Sequence, residues 1–145
     1  MIEKLSDEER HLVDYGQWSA YLLEDQSRPF SSYLWLNGKN PDKTSMFGLT
    51  SEQQCEMFYF GRAVEATIDC LAHPDLMNFK ALNNRTPRFH AKIIPRYEGV
   101  RTLYGIEFRD DYKITLDGPP IKPFKASKKT ILQMRDDFKA RFSFE

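Results

Sequence analysis

Residues 83–97 read Asn-Asn-Arg-Thr-Pro-Arg-Phe-His-Ala-Lys-Ile-Ile-Pro-Arg-Tyr. The second half alternates, with Arg88, His90 and Lys92 on one parity and Phe89, Ala91 and Ile93 on the other. Successive side chains of a β-strand point to opposite faces. The run therefore predicts a strand with one apolar face for a core. Its other face sets one imidazole between two cations. Pro95 lacks a backbone donor and is expected to end the strand. Three basic groups along one sheet face repel one another unless an anion sits there. From the alternation alone, two readings stay open: a solvated polar face, or an anion site.

The preceding run strengthens the second reading. In residues 76–82, Met77, Phe79 and Ala81 share one parity, and Asn78 and Lys80 share the other. The polar connection over residues 83–87 is short, so this run is expected to pair antiparallel with the His90 strand. The polar faces then coincide. Asn78, Lys80, Arg88, His90 and Lys92 form one patch of cations and amides, which suits phosphoryl oxygens.

The rest of the chain predicts what these strands pack against. Thr50 and Gln53 have the spacing of a capping box, and Met57, Phe60, Val64, Ile68 and Leu71 follow as one apolar helical stripe. This long helix is expected to end at His73-Pro74, because a residue before proline leaves the α region. Residues 18–24 and 32–37 read as a hairpin around the turn cluster at 25–29. Ser6 and Glu9 predict a helix that runs to Gly16, with His11 on its surface. Residues 101–108 read as one strand kinked at Gly105, followed by an irregular excursion over 110–126. Ser127 caps a last helix with Ile131, Met134, Phe138 and Phe142 on its apolar face. Lys128 and Lys129 stand in its first turn, against the helix dipole. The fold class is therefore α+β, with an antiparallel sheet of about five strands under one long helix and further helices at both ends.

At 145 residues the chain is expected to form a single domain, 1–145. Lys plus Arg number 21 and Asp plus Glu number 21, so no global pull toward nucleic acid or an anionic membrane is expected. No apolar run reaches the ~18 residues of a membrane span. The first nine residues lack a basic flank and an apolar core, so no signal peptide is expected. Cys55 and Cys70 are too far apart along the predicted helix to bridge, and read as reduced, partly buried thiols of a cytoplasmic protein. His11, His73 and His90 lack ligand spacing, so no metal and no cofactor are expected.

The 88–97 segment resembles the signature of the histidine triad (HIT) superfamily, His-x-His-x-His followed by apolar residues and often Pro-Arg. Arg88 and Lys92 stand at the first and third histidines, and His90 at the middle one. Ile93-Ile94-Pro95-Arg96-Tyr97 is similar to the tail of the bacterial and archaeal hydrolase-like branch. Similar residues recur over 18–35, 49–68, 74–78, 82–84 and 105–110. The resemblance implies a HIT-like fold. It also implies that the first hairpin borders a nucleotide pocket, and that a homodimer forms through the long helix and its adjacent strand. In such enzymes the middle histidine attacks an α-phosphate to give a nucleotidyl-imidazole. By resemblance His90 is the nucleophile, while Asn78 and Asn84 hold ribose-phosphate and phosphate oxygens. Lys80, Arg88 and Lys92 add cations. The loop 38–48 lacks the fourth histidine that many members carry. The expected function is a nucleotide hydrolase or nucleotidyl transferase acting on a phosphoanhydride or phosphoramidate. The alternative is a decayed triad that binds a nucleotide or other anion without turnover.

Overall fold

Thr50 and Gln53 exchange backbone-to-side-chain hydrogen bonds of 3.0 and 3.1 Å at the start of α2 (Ser51–Ala72). This reciprocal cap satisfies two amides that no turn of helix can reach. Met57, Phe60, Val64 and Ile68 are buried along one side, and Leu71 packs partly against the same core. The helix ends at His73, which takes a left-handed conformation (φ 48°) before Pro74.

The computed structural model describes residues 4–144. Residues 1–3, which open the stretch read for a signal segment, lie outside them. The strands are β1 (His11–Tyr15), β2 (Trp18–Leu22), β3 (Ser32–Leu36), β4 (Leu76–Lys80) and β5 (His90–Arg96). They form an antiparallel sheet in the order β1-β2-β3-β5-β4. Trp18, Ala20, Leu22, Leu34, Leu36, Ala91 and Ile93 join the α2 stripe in the buried core. The register then leaves Ser19, Tyr21, Tyr33, Trp35, His90 and Lys92 together on the opposite face. The α+β class, the single long helix and the five-stranded sheet are as expected.

Four local expectations are corrected. The helix opened by Ser6 is one turn, α1 (Asp7–Arg10), and the chain is extended from His11 onward. Leu12, Val13 and Tyr15 do better as a strand, because Gly16 at φ +55° makes the tight turn into β2. Pro95 does not end its strand. It pairs with Met77, and the pairing with β3 already stops at Ile93, so its missing donor faces no partner. The expected strand over 101–108 is a hairpin, β6 (Val100–Leu103) and β7 (Ile106–Arg109), because Tyr104 and Gly105 both take positive φ. Cys55 and Cys70 are exposed, since both lie off the apolar stripe of α2.

The segment after β7 holds the short helix α3 (Tyr112–Thr115) and then α4 (Lys128–Arg141), whose Met134 and Phe138 are buried. Asp110 fastens this segment to the sheet. Its carboxylate, 0% exposed, accepts from Arg96 and Arg28, each at 2.8 Å, and from the Tyr97 amide at 3.1 Å.

Candidate active site

Phe89, fully buried and edge-on to Trp18 at 5.9 Å, anchors the start of β5 in the core. The loop before it is tied by side chains. Asn40 accepts from the Phe89 amide at 2.6 Å and donates to the Pro87 carbonyl at 2.9 Å. Thr44 donates to the same carbonyl at 2.8 Å. Asn83, at φ 55°, accepts from the His90 amide at 2.9 Å. These bonds fix the backbone on both sides of residue 88.

The His90 ring is half-buried, with Nδ1 2.9 Å from the Arg88 carbonyl oxygen. A carbonyl oxygen only accepts, so Nδ1 carries a proton. In the neutral ring Nε2 is then left with a free lone pair. Trp35 lies against the imidazole, with centroids 5.8 Å apart and planes 29° apart. His90, Lys80, Lys92, Asn83 and Asn84 line a cleft of about 350 Å³. Lys80 and Lys92 are direct partners across the β4–β5 ladder, and neither makes an ion pair among the described residues. Like charges placed so are mutually destabilising. The same two lysines line a second cleft of about 360 Å³, bounded by Arg28, Ile94 and residues 117–120.

The structure thus brings together Lys80, Asn84, His90 and Lys92. Arg88 does not line this cleft, although its guanidinium lies over the Trp35 ring at 6.0 Å, so, contrary to expectation, the three basic groups do not form one open row. The Arg88 guanidinium donates to the carbonyls of Leu36, Asn37 and Gly38 at 2.8, 2.8 and 2.7 Å. Strand β5 begins only at His90, so strand parity does not govern Arg88. The bare carbonyls beyond the end of β3 do. Asn78 is also outside the cleft. It keeps the expected parity but faces Ile94 across the ladder, and its Oδ1 accepts from Arg96 at 2.9 Å.

An aromatic row went unread in the sequence. Tyr21 and Tyr33 stack at 5.1 Å and 12°, Tyr33 meets Trp35 edge-on at 6.5 Å, and Trp35 leads to His90. A cleft of about 210 Å³ lies over the three aromatic residues beside Asp7. Burial, the largest influence, raises the Tyr33 hydroxyl above its ordinary value. The signal was present: Tyr33 and Trp35 share a parity in β3. No sequence signal marks Asn40 and Asn83, because their partners are backbone amides and carbonyls, which any residue type supplies.

Solved structures resemble this arrangement over nearly its whole length. A histidine triad protein from Bradyrhizobium japonicum is 17% identical with a TM-score of 0.66, covering 94% of this chain and 93% of that one. A histidine triad protein from Sinorhizobium meliloti is 19% identical with a TM-score of 0.67, covering 92% and 91%. A hypothetical histidine triad nucleotide-binding protein from Sulfolobus tokodaii is 11% identical with a TM-score of 0.59, covering 90% and 84%. The chain has the histidine triad fold. No family model and no curated protein matches the sequence. In this fold His90 opens β5, beside a cleft that Lys80 and Lys92 also line. Among the described residues there is no cluster of His, Cys, Asp and Glu able to hold a metal ion, and no helix long and apolar enough to cross a membrane.

Proposed function

We propose that this protein cleaves a phosphoanhydride of a nucleotide through a nucleotidyl intermediate on His90, as a hydrolase or nucleotidyl transferase. The observation that carries the reading is the His90 ring itself. Its Nδ1 proton is committed to a main-chain carbonyl, and its ring lines a cleft with Lys80 and Lys92, neither of which makes an ion pair among the described residues. Nε2 attacks the α-phosphorus and forms a P–N bond. The bond from phosphorus to the leaving group breaks, and the leaving group departs with the electron pair. Water or another acceptor then attacks the phosphorus, breaks the P–N bond and returns the imidazole. Lys80 and Lys92 hold the phosphoryl oxygens and offset charge that grows at the transition state. Asn84 adds an amide donor at the cleft wall. The aromatic row takes the nucleobase by stacking, next to the reacting phosphate.

The residues of the His90 cleft include no carboxylic acid and no second imidazole. A leaving group that departs as a stable anion needs no proton from the protein. This favours a phosphoanhydride over a phosphoramidate. The same feature supports the alternative, a decayed triad that holds a nucleotide or anion without turnover. The assignment extends to a cytoplasmic setting, where exposed thiols such as Cys55 and Cys70 stay reduced.

Diadenosine tetraphosphate and adenosine 5′-phosphoramidate separate these readings. Turnover of the first that exceeds the second, with a trapped AMP adduct lost in His90→Ala, is the expected result. AMP binding without turnover in the intact protein establishes the binding module and overturns the enzyme.

A further inference from the structure

We propose that Arg88 is a positioning residue for His90. Its side chain anchors its own carbonyl, and that carbonyl decides which nitrogen of the imidazole is bare. The inference rests on the His90 reading above. Arg88 stands where the triad resemblance has a histidine, yet its side chain does not line the cleft. Three consecutive carbonyls, of Leu36, Asn37 and Gly38, receive its guanidinium. A guanidinium offers five N–H groups in a rigid fork, which suits three fixed acceptors. A lysine ammonium is a point donor on a flexible stem, and a histidine offers at most two N–H groups. The socket therefore selects arginine.

The tether sets the main chain. Residue 88 is drawn to the end of β3, and the Phe89 carbonyl accepts from the Leu36 amide at 3.3 Å. Asn40 holds Pro87 and Phe89, while Asn83 holds the His90 amide. The peptide linking residues 88 and 89 is clamped from both sides, with its oxygen 2.9 Å from His90 Nδ1. Trp35 completes the device, since its ring lies under the Arg88 guanidinium at 6.0 Å and against the imidazole at 5.8 Å. An unconstrained neutral imidazole prefers its proton on Nε2. The Arg88 carbonyl reverses that preference and leaves Nε2 to attack.

The tautomer is read directly by long-range ¹H–¹⁵N correlation on protein labelled with ¹⁵N-histidine, at a pH where the ring is neutral. His11 and His73 serve as internal references for the fold. The native protein is expected to show His90 with its proton on Nδ1. Arg88→Ala and Arg88→Lys are expected to move the proton to Nε2 while the other two histidines stay unmoved. In turnover of diadenosine tetraphosphate, both variants are expected to lose about 10²-fold in kcat, the size of a small misplacement, with KM within about threefold. A native His90 protonated on Nε2, or a variant that keeps the proton on Nδ1, overturns the inference. So does a raised KM with kcat intact, which makes Arg88 a substrate contact. If Arg88→Ala does not fold, Arg88→Lys and the native spectrum decide. The tautomer does not depend on turnover. An inactive native protein with the Nδ1 proton therefore ends the enzymatic reading and leaves this one standing.

Discussion

Lys80 and Lys92 face each other across a ladder with no acidic partner among the described residues, an arrangement that folding alone disfavours. A site that binds phosphate accepts that cost. Replacing either lysine with methionine keeps the aliphatic stem and removes the repulsion. Lys92→Met is therefore expected to raise thermal stability by up to about 0.5 kcal/mol. It is also expected to weaken AMP binding by about 10-fold or more, the scale of one hydrogen bond to a charged group. Thermal unfolding and a calorimetric AMP titration check the two signs, and unchanged affinity counts against the phosphate role. At this scale the sequence was informative wherever a ladder governs direction. Lys80, His90 and Lys92 could be placed by parity. Arg88 could not, because it precedes the first ladder pair and answers to carbonyls some fifty residues away.

Among the elements, the join between β5 and the segment after β7 carries the most electrostatic weight. Burial by itself raises the Asp110 carboxyl. Hydrogen bonds from Arg96, the Tyr97 amide and Arg28 outweigh it, and the group lies below the ordinary carboxylate range. A carboxyl lowered on folding contributes fully above its unfolded pKa of about 3.9 and loses that contribution as the pH falls through the folded value. Stability is thus expected to hold through neutral pH and to drop below about pH 4, measured by urea unfolding across a pH series. Asp110→Ala leaves Arg96 uncompensated in a buried place, and is expected to cost about 3–5 kcal/mol at pH 7 and to flatten that acid limb. An unaltered limb assigns the acid transition to other groups. The elements themselves were legible to different degrees. The capping box and stripe of α2 are local signals, and they held. Gly16 and Gly105 suggest a helix stop and a kink in the sequence, because a positive φ serves a turn as well as a terminus. What decided between them was pairing with another strand, which no local signal encodes.

At the scale of the molecule, β4 is an edge strand. Leu76 and Phe79 on it are 44% and 43% exposed, and Phe58 on α2 is 67% exposed. Unpaired edges with apolar side chains invite a second copy. The homodimer implied by the triad resemblance is proposed to form along this edge. Phe79→Lys is expected to convert a dimer to a monomer in light scattering, with the fold retained by circular dichroism. A native protein that is already monomeric removes the proposal. The architecture was legible in the sequence because apolar spacing sets the layers, whereas the aromatic row emerged only when β2, β3 and β5 were laid in register. That row has a practical corollary. The chain has two tryptophans, Trp18 sealed in the core and Trp35 beside the imidazole. Emission from the first is a steady internal standard, and quenching of the second is an intrinsic optical gauge of occupancy, readable in a stopped-flow instrument without any attached dye.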